Sequence, residues 1–143
     1  TNWTDAGTTK QLTKTIAKLA VGVAYSFRVT ASNSAGASLP SDSVSATPVL
    51  VKKPGPIRSL AVRTVSGGIR IGWRAPLTTG EDEVTYRVQR SRDLWRWTTV
   101  ATTPLLSFTN TGLTSKRRYY YRVVAVNSAG SSGVTSIRGA RAR

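Results

Sequence analysis

Cysteine and histidine are both missing from the 143 residues. Without cysteine no disulfide framework and no thiolate metal site can form, and without histidine the common zinc sites and histidine-based triads cannot be assembled from this chain. Acidic residues are scarce, with six Asp and Glu against 21 Lys and Arg and a formal charge of +15. Long apolar runs are lacking too. The best candidates, residues 17–24 and 119–126, are broken by Lys18 and Arg122 and fall short of the roughly 18 residues a spanning helix needs, so no membrane insertion is expected. The chain opens at Thr1 without a basic or apolar leader, so any export signal is expected outside it.

Hydrophobic residues still make up 39% and are spread along the chain, enough to build a core rather than a disordered polyelectrolyte. The charge is uneven. Residues 1–49 hold Lys10, Lys14, Lys18 and Arg28 against Asp5 and Asp42, a net +2, which leaves +13 for the rest. A field of that sign steers anionic partners, and it also serves plain solubility.

Sliding the sequence against itself by 94 positions superposes Trp3 on Trp97, Leu19 on Leu113, Tyr25 on Tyr119 and Arg28 on Arg122. Asn33, Ser34, Ala35 and Gly36 fall on Asn127, Ser128, Ala129 and Gly130 without a gap. The offset approximates the ~100 residues of an immunoglobulin-like sandwich, so each copy should be a domain rather than a solenoid turn. Only the rear half of the first copy is expected within these residues, the counterparts of residues 56–94 being supplied by chain outside them or by another chain. Residues 1–48 are therefore expected to be the C-terminal half of one domain, 49–55 a Pro-rich connector and 56–143 a complete domain with a basic end. Pro48, Pro54 and Pro56 fix torsions and remove backbone donors around that connector.

Alternation of period two marks the strands of the second copy. Leu60 and Val62, then Ile69, Ile71 and Trp73, form the inward set, with Arg63, Arg70 and Arg74 opposite and Ser66, Gly67 and Gly68 as the turn. Val84, Tyr86 and Val88 alternate with Thr85, Arg87 and Gln89. Residues 97–101 and 106–109 read as shorter strands. In residues 119–127, Tyr119, Tyr121, Val123 and Ala125 share one face, with Tyr120, Arg122, Val124 and Val126 on the other. A last strand is expected at 134–138, and no stretch carries a helical stripe. Seven short strands with a turn about every ten residues predict an all-β, two-sheet antiparallel sandwich.

These residues resemble the fibronectin type III family, whose pattern has a Trp in the second strand and, later, a Leu six residues before a Tyr. Trp73, and then Leu113 with Tyr119, fit that pattern, and Leu19 with Tyr25 repeats its second part. The resemblance implies that Tyr25 and Tyr119 pack their rings in the core and bond their hydroxyls to nearby backbone, a structural role. Ser115 and Lys116 stand where the family often has Pro-Gly, which predicts a looser turn there. Endings such as Asn-Ser-Ala-Gly resemble tandem copies in secreted or surface bacterial proteins, and imply an extracellular, cell-surface or virion-surface location.

No Arg-Gly-Asp sequence occurs, which removes the family's best-known integrin motif. Glu81, Asp82 and Glu83 read as a solvated loop tip, since calcium needs about 6–8 converging oxygens. Neither Asp93 nor any Ser or Thr has a visible catalytic partner, so no enzyme, cofactor or metal is expected. Arg87 and Arg122 should emerge on one outer sheet face with Tyr120 between or beside them, and Arg90, Arg92 and Arg96 near Trp95 at the adjoining hairpin. Guanidinium groups among aromatic rings suit a phosphate or sulfate next to a base or sugar. The competing reading is a soluble face whose arginine stems cover apolar surface. Trp95 and Trp97 should face the same way if their segment is extended. Lys116, Arg117 and Arg118 form the densest cationic turn, to which Arg138, Arg141 and Arg143 add. The expected function is a spacer or interaction module whose partners are other domains of its chain or neighbouring subunits. The alternative is a polyanion-binding module for an anionic wall polymer, sulfated glycan or nucleic acid.

Overall fold

A computed structural model describes residues 2–143 and separates them into two compact units between Leu50 and Val51. In chain order the strands are β1 (Tyr25–Phe27), β2 (Ser32–Asn33), β3 (Gly36–Ala37), β4 (Val44–Ala46), β5 (Ser59–Val65), β6 (Gly68–Arg74), β7 (Thr85–Ser91), β8 (Thr98–Thr103), β9 (Ser107–Thr111), β10 (Arg118–Asn127), β11 (Gly130–Ser131) and β12 (Arg138–Arg141). Among the described residues no helix is long and apolar enough to cross a membrane.

In the second unit β5 and β6 form a hairpin around Ser66 and Gly67, with Gly67 at φ +73, a torsion that glycine adopts without steric cost. Gly68 already belongs to β6, pairing with Val65. The register sets Leu60 against Trp73 and Val62 against Ile71, so their side chains share the inner face, and β9 completes the sheet in the order β5-β6-β9. The other sheet runs β8-β7-β10, with β11 and β12 both lying along the free side of β10. Between the sheets Ile69, Ile71, Val88, Tyr121 and Val123 are fully buried. Each such apolar side chain contributes about 1.5–3 kcal/mol.

Two polar groups at the edge of this core share one acceptor. The Tyr121 hydroxyl donates to Asn110 Oδ1 at 3.1 Å, and Arg90 donates to the same oxygen at 3.2 Å. Burial pushes the Tyr121 phenol up to about 12, partly opposed by the nearby Arg90 charge. Trp73 lies in the core with its ring 5.5 Å from Tyr86, and its indole nitrogen has no acceptor among the described residues.

The tyrosine corner is present twice. Tyr119 accepts the Thr114 N–H at 3.1 Å, and Tyr25 accepts the Ala20 N–H at 3.0 Å. Leu113 packs half-buried against the core, and Leu19 is half-buried in the first unit.

The last strand differs from expectation. It begins at Arg138, not at Val134. Upstream of it two hydroxyls replace the ladder's carbonyls: Ser132 Oγ accepts the Ala125 N–H and Thr135 Oγ1 accepts the Val123 N–H, both at 3.0 Å. Side-chain acceptors satisfy the backbone of β10 there and hold the edge chain out of strand geometry.

Lys116 corrects a second expectation. The turn is not loose, because Lys116 N donates to Ala142 O at 2.9 Å, as Gly22 N does to Pro48 O in the first unit. Lys116 takes φ +61 to do so, where Gly22 takes φ +79. The left-handed region costs a residue with a side chain about 1–2 kcal/mol.

The chain that enters the second unit is fastened to it. Lys52 N donates to Gly80 O and Gly55 N to Thr78 O, while the Asn127 amide donates to Lys52 O at 2.6 Å. Pro54 is buried.

Replacing Lys116 with Gly should relieve the torsional strain and stabilise the second unit by about 0.5–1 kcal/mol, net of the glycine's greater unfolded entropy. Urea unfolding of the two proteins checks this, and an unchanged or lower midpoint would contradict it.

Candidate functional site: an arginine and aromatic face

On the outer face of the β8-β7-β10 sheet, Arg122 lies opposite Gln89 and Val124 opposite Arg87. Arg87 and Arg122 are thus diagonal neighbours on one face, with Tyr120 two residues beyond Arg122. Arg122 is occupied by the fold. Its Nε donates to Gln89 Oε1 at 2.8 Å and its guanidinium lies 4.3 Å from the centre of the Trp97 ring. Arg28 covers Trp3 at 4.2 Å in the first unit, so the same contact is built twice. Tyr120 lies against β12, where a Cβ on Gly139 would come within 2.9 Å of its ring, and Arg118 stands 5.9 Å from that ring.

Arg90 does not join this face. It is paired with inward-facing Tyr121, bonded to Asn110 and placed 5.4 Å from the Tyr119 ring. The Tyr119 phenol is held below its ordinary value chiefly by the Thr114 side chain, with the Thr114 N–H and the Arg90 and Arg92 charges adding to this and burial opposing it.

Residues 92–97 form a stapled loop rather than an extended strand, so Trp95 and Trp97 are not related by alternation. Asp93 Oδ1 accepts the N–H groups of Trp95 and Arg96 at 2.9 and 2.8 Å, and Ser91 Oγ accepts that of Leu94. Leu94 turns through φ +70, and its carbonyl accepts the Trp97 indole N–H at 3.1 Å. Trp97 is consequently half-buried under Arg122, whereas Trp95 is 87% exposed between Arg92 and Arg96. The bonds from Arg96, then Trp95 and Ser91, hold the Asp93 carboxyl below its ordinary range.

Lys116, Arg117 and Arg118 are exposed in the turn closed by Ala142, away from the Trp95 loop in sequence and on the β12 side of the sheet. Asp82 accepts the Ser128 N–H at 3.0 Å and the Glu83 N–H at 2.8 Å, and the Ser128 side chain, followed by these two N–H groups, holds its carboxyl below the ordinary value. Among the described residues no three acidic side chains converge on a metal position.

Three arginines outside this set share the opposite sheet. Arg63 stands directly across from Arg70, and Arg74 projects from the same face of β6. Their outward alternation was visible in the sequence, but only the register shows that two like charges face one another.

The fibronectin type III domain model matches residues 54–138. Among solved structures, titin domains A168–A170 are similar at 24% identity with a TM-score of 0.61, covering 84% of this chain and 41% of that one. Titin kinase with its flanking domains is similar at 25% identity and a TM-score of 0.58, covering 65% of this chain and 18% of that one. The sixth fibronectin type III domain of the human fibronectin type III domain containing protein 3 is similar at 23% identity and a TM-score of 0.56, over 63% of this chain and 86% of that one. The chain spans less than a fifth of the titin kinase structure and less than half of the A168–A170 structure.

Replacing Trp97 with Ala should cost about 1–3 kcal/mol through lost packing and the lost Arg122 contact, while Trp95→Ala should stay within about 0.5 kcal/mol of the parent. Equal losses in chemical denaturation would show that both rings pack. A second expectation concerns pH. The folded-state pKa of Asp93 lies below its unfolded value, so its contribution is present above that unfolded value, near 3.8, and is lost as pH falls through the folded one. Asp93→Asn should therefore lower the unfolding midpoint at neutral pH, and the gap should close on acidification. A gap independent of pH would remove the carboxylate from the account.

Proposed function

From a chain that belongs to the fibronectin type III family, we propose a non-catalytic spacer and interaction module of a larger extracellular, cell-surface or virion protein. The observation that carries this reading is the 94-residue repeat expressed in bonds. Tyr25 pairs with Ala46 as Tyr119 pairs with Ala140, and Asn33 pairs with Gly36 as Asn127 pairs with Gly130. Val29 N bonds to Ser41 Oγ as Val123 N bonds to Thr135 Oγ1. Residues 1–48 are on this reading the rear half of a preceding copy, and serial modules of one kind suit separation and display. The partners are other domains of the same protein or neighbouring subunits.

Support for the first unit's being a rear half comes from its burial. Val29 is 72% exposed, whereas Val123, its equivalent, is fully buried beneath β5, β6 and β9. The hairpin has the register of a sandwich sheet, and on this reading Val29 lies on the face that an opposing layer covers.

A second reading is a polyanion-binding module, and one observation favours it. No strand of the second unit contains an Asp or Glu, so neither outer face neutralises its own arginines. Arg87, Arg92, Arg96, Lys116 and Arg117 are exposed, and Trp95 offers an exposed ring in the same loop as two of them.

Salt separates the two. The 143-residue chain should elute from heparin, DNA and neutral-polysaccharide columns together with a lysine-rich protein of equal charge if it is a spacer alone. Retention on one anionic column well beyond that control, falling steeply as salt rises, would establish the second reading instead.

A further inference from the structure

Three successive rows of side chains on the outer face of the β5-β6-β9 sheet lie beyond the row of Val65, Gly68 and Thr111 next to the hairpin turn. Ser59 and Arg74 form the first, Ala61, Gly72 and Ser107 the second, and Arg63, Arg70 and Thr109 the third. The rows follow one another at about 7 Å, so Arg70 and Arg74 stand about 13 Å apart along β6 with a floor of small residues between them. The floor is an open depression of about 580 Å³, bounded at one end by exposed Leu105 and Leu106.

Two features of this face are costly to the folded chain and unexplained by it. Arg63 and Arg70 are directly opposed on neighbouring strands, where like charges repel, and no carboxylate shares the sheet. Gly72 sits in mid-strand, where glycine weakens a sheet, yet its backbone is ordinary extended strand and an added Cβ would meet no atom within 4 Å. Neither torsion nor internal crowding calls for glycine. An anionic ligand lying over Gly72 accounts for both, since it relieves the repulsion and occupies the space a side chain would fill.

We infer that this trough binds a linear phosphodiester polymer of a polyol, laid along β6 over Gly72 with its phosphates held by Arg74 at one end and by Arg70 with Arg63 at the other. The inference rests on the polyanion reading and names its site and ligand. Guanidinium forks match phosphate oxygens in paired hydrogen bonds. The hydroxyls of Ser59, Ser107 and Thr109 face the polyol's own hydroxyls, and its carbons meet Ala61, Leu105 and Leu106. No outward side chain on the three strands is aromatic, so a nucleobase finds no stacking platform, which single-stranded nucleic acid binders supply.

The test uses the full chain and a purified glycerol phosphate polymer, with binding followed calorimetrically at low and moderate salt. Gly72→Val keeps the charge and suits a strand, and it should weaken binding about tenfold by filling the trough, as should Arg63→Glu by removing a phosphate contact. Arg63→Glu should also raise the thermal midpoint, because it turns a repulsive cross-strand pair into an attractive one, so weaker binding cannot be put down to misfolding. Arg87→Glu on the other sheet should bind within about twofold of the parent, as expected of a site it does not touch. Undiminished binding by Gly72→Val, or an equal loss in Arg87→Glu, overturns this site and leaves the polyanion reading standing. Tighter binding of heparin or of a single-stranded oligonucleotide with the same response to the variants overturns the ligand class. No binding of any polyanion beyond the lysine-rich control overturns both.

Discussion

Ten residues of β10 must pair along both edges while every second side chain is driven under the facing sheet. β7 satisfies one edge through seven cross-strand partners from Tyr120 to Val126, and the other edge is shared by β11, β12 and the two hydroxyls between them. Tyr119, Tyr121, Val123 and Ala125 then close the core over Ile69, Ile71 and Trp73. Because the strand is constrained on three sides, its outward residues are fixed in place as well. Arg122 is delivered to Trp97, and Tyr120 to the bare backbone at Gly139, as consequences of burying their neighbours.

The sheets were readable because burial imposes period two: Leu60, Ile71, Trp73, Val88 and Tyr121 lie where alternation put them. What alternation cannot express is a change of bonding partner. Ser132 and Thr135 look like ordinary polar residues of a last strand, yet their hydroxyls take over the ladder, and β12 starts late for that reason. Lys116 carries no outward sign of a left-handed torsion. Gly22, 94 residues earlier, and the glycine that the family often has there hint that the position needs one. The relation of Trp95 to Trp97 was lost at Leu94, whose positive φ ends any extended reading.

The same limits apply to the surface chemistry. Arg87 and Arg122 do share a face, but the second is already stacked and hydrogen-bonded, and Arg90 is drawn inward by Asn110. Charge counted along a strand says nothing of which cations the fold has engaged. The Arg63 and Arg70 opposition is a property of two strands at once, and it becomes visible only when their register is known. Arg122 is engaged by an aromatic ring on one sheet, whereas Arg63 and Arg70 face each other on the other.

The repetition of one hairpin within a single chain has a consequence for folding. β1 with β4 and β10 with β12 offer the same register, so a front half emerging between them meets two nearly equivalent templates, the situation in which tandem domains exchange strands and misassemble. The side chains tell the templates apart. Phe27 stands where Tyr121 donates its hydroxyl to Asn110, and Thr30 and Ser32 stand where Val124 and Val126 lie. A mispaired domain would forfeit the hydroxyl's bond to a buried amide. The Tyr121 hydroxyl is thus one of the groups by which two hairpins of the same register differ.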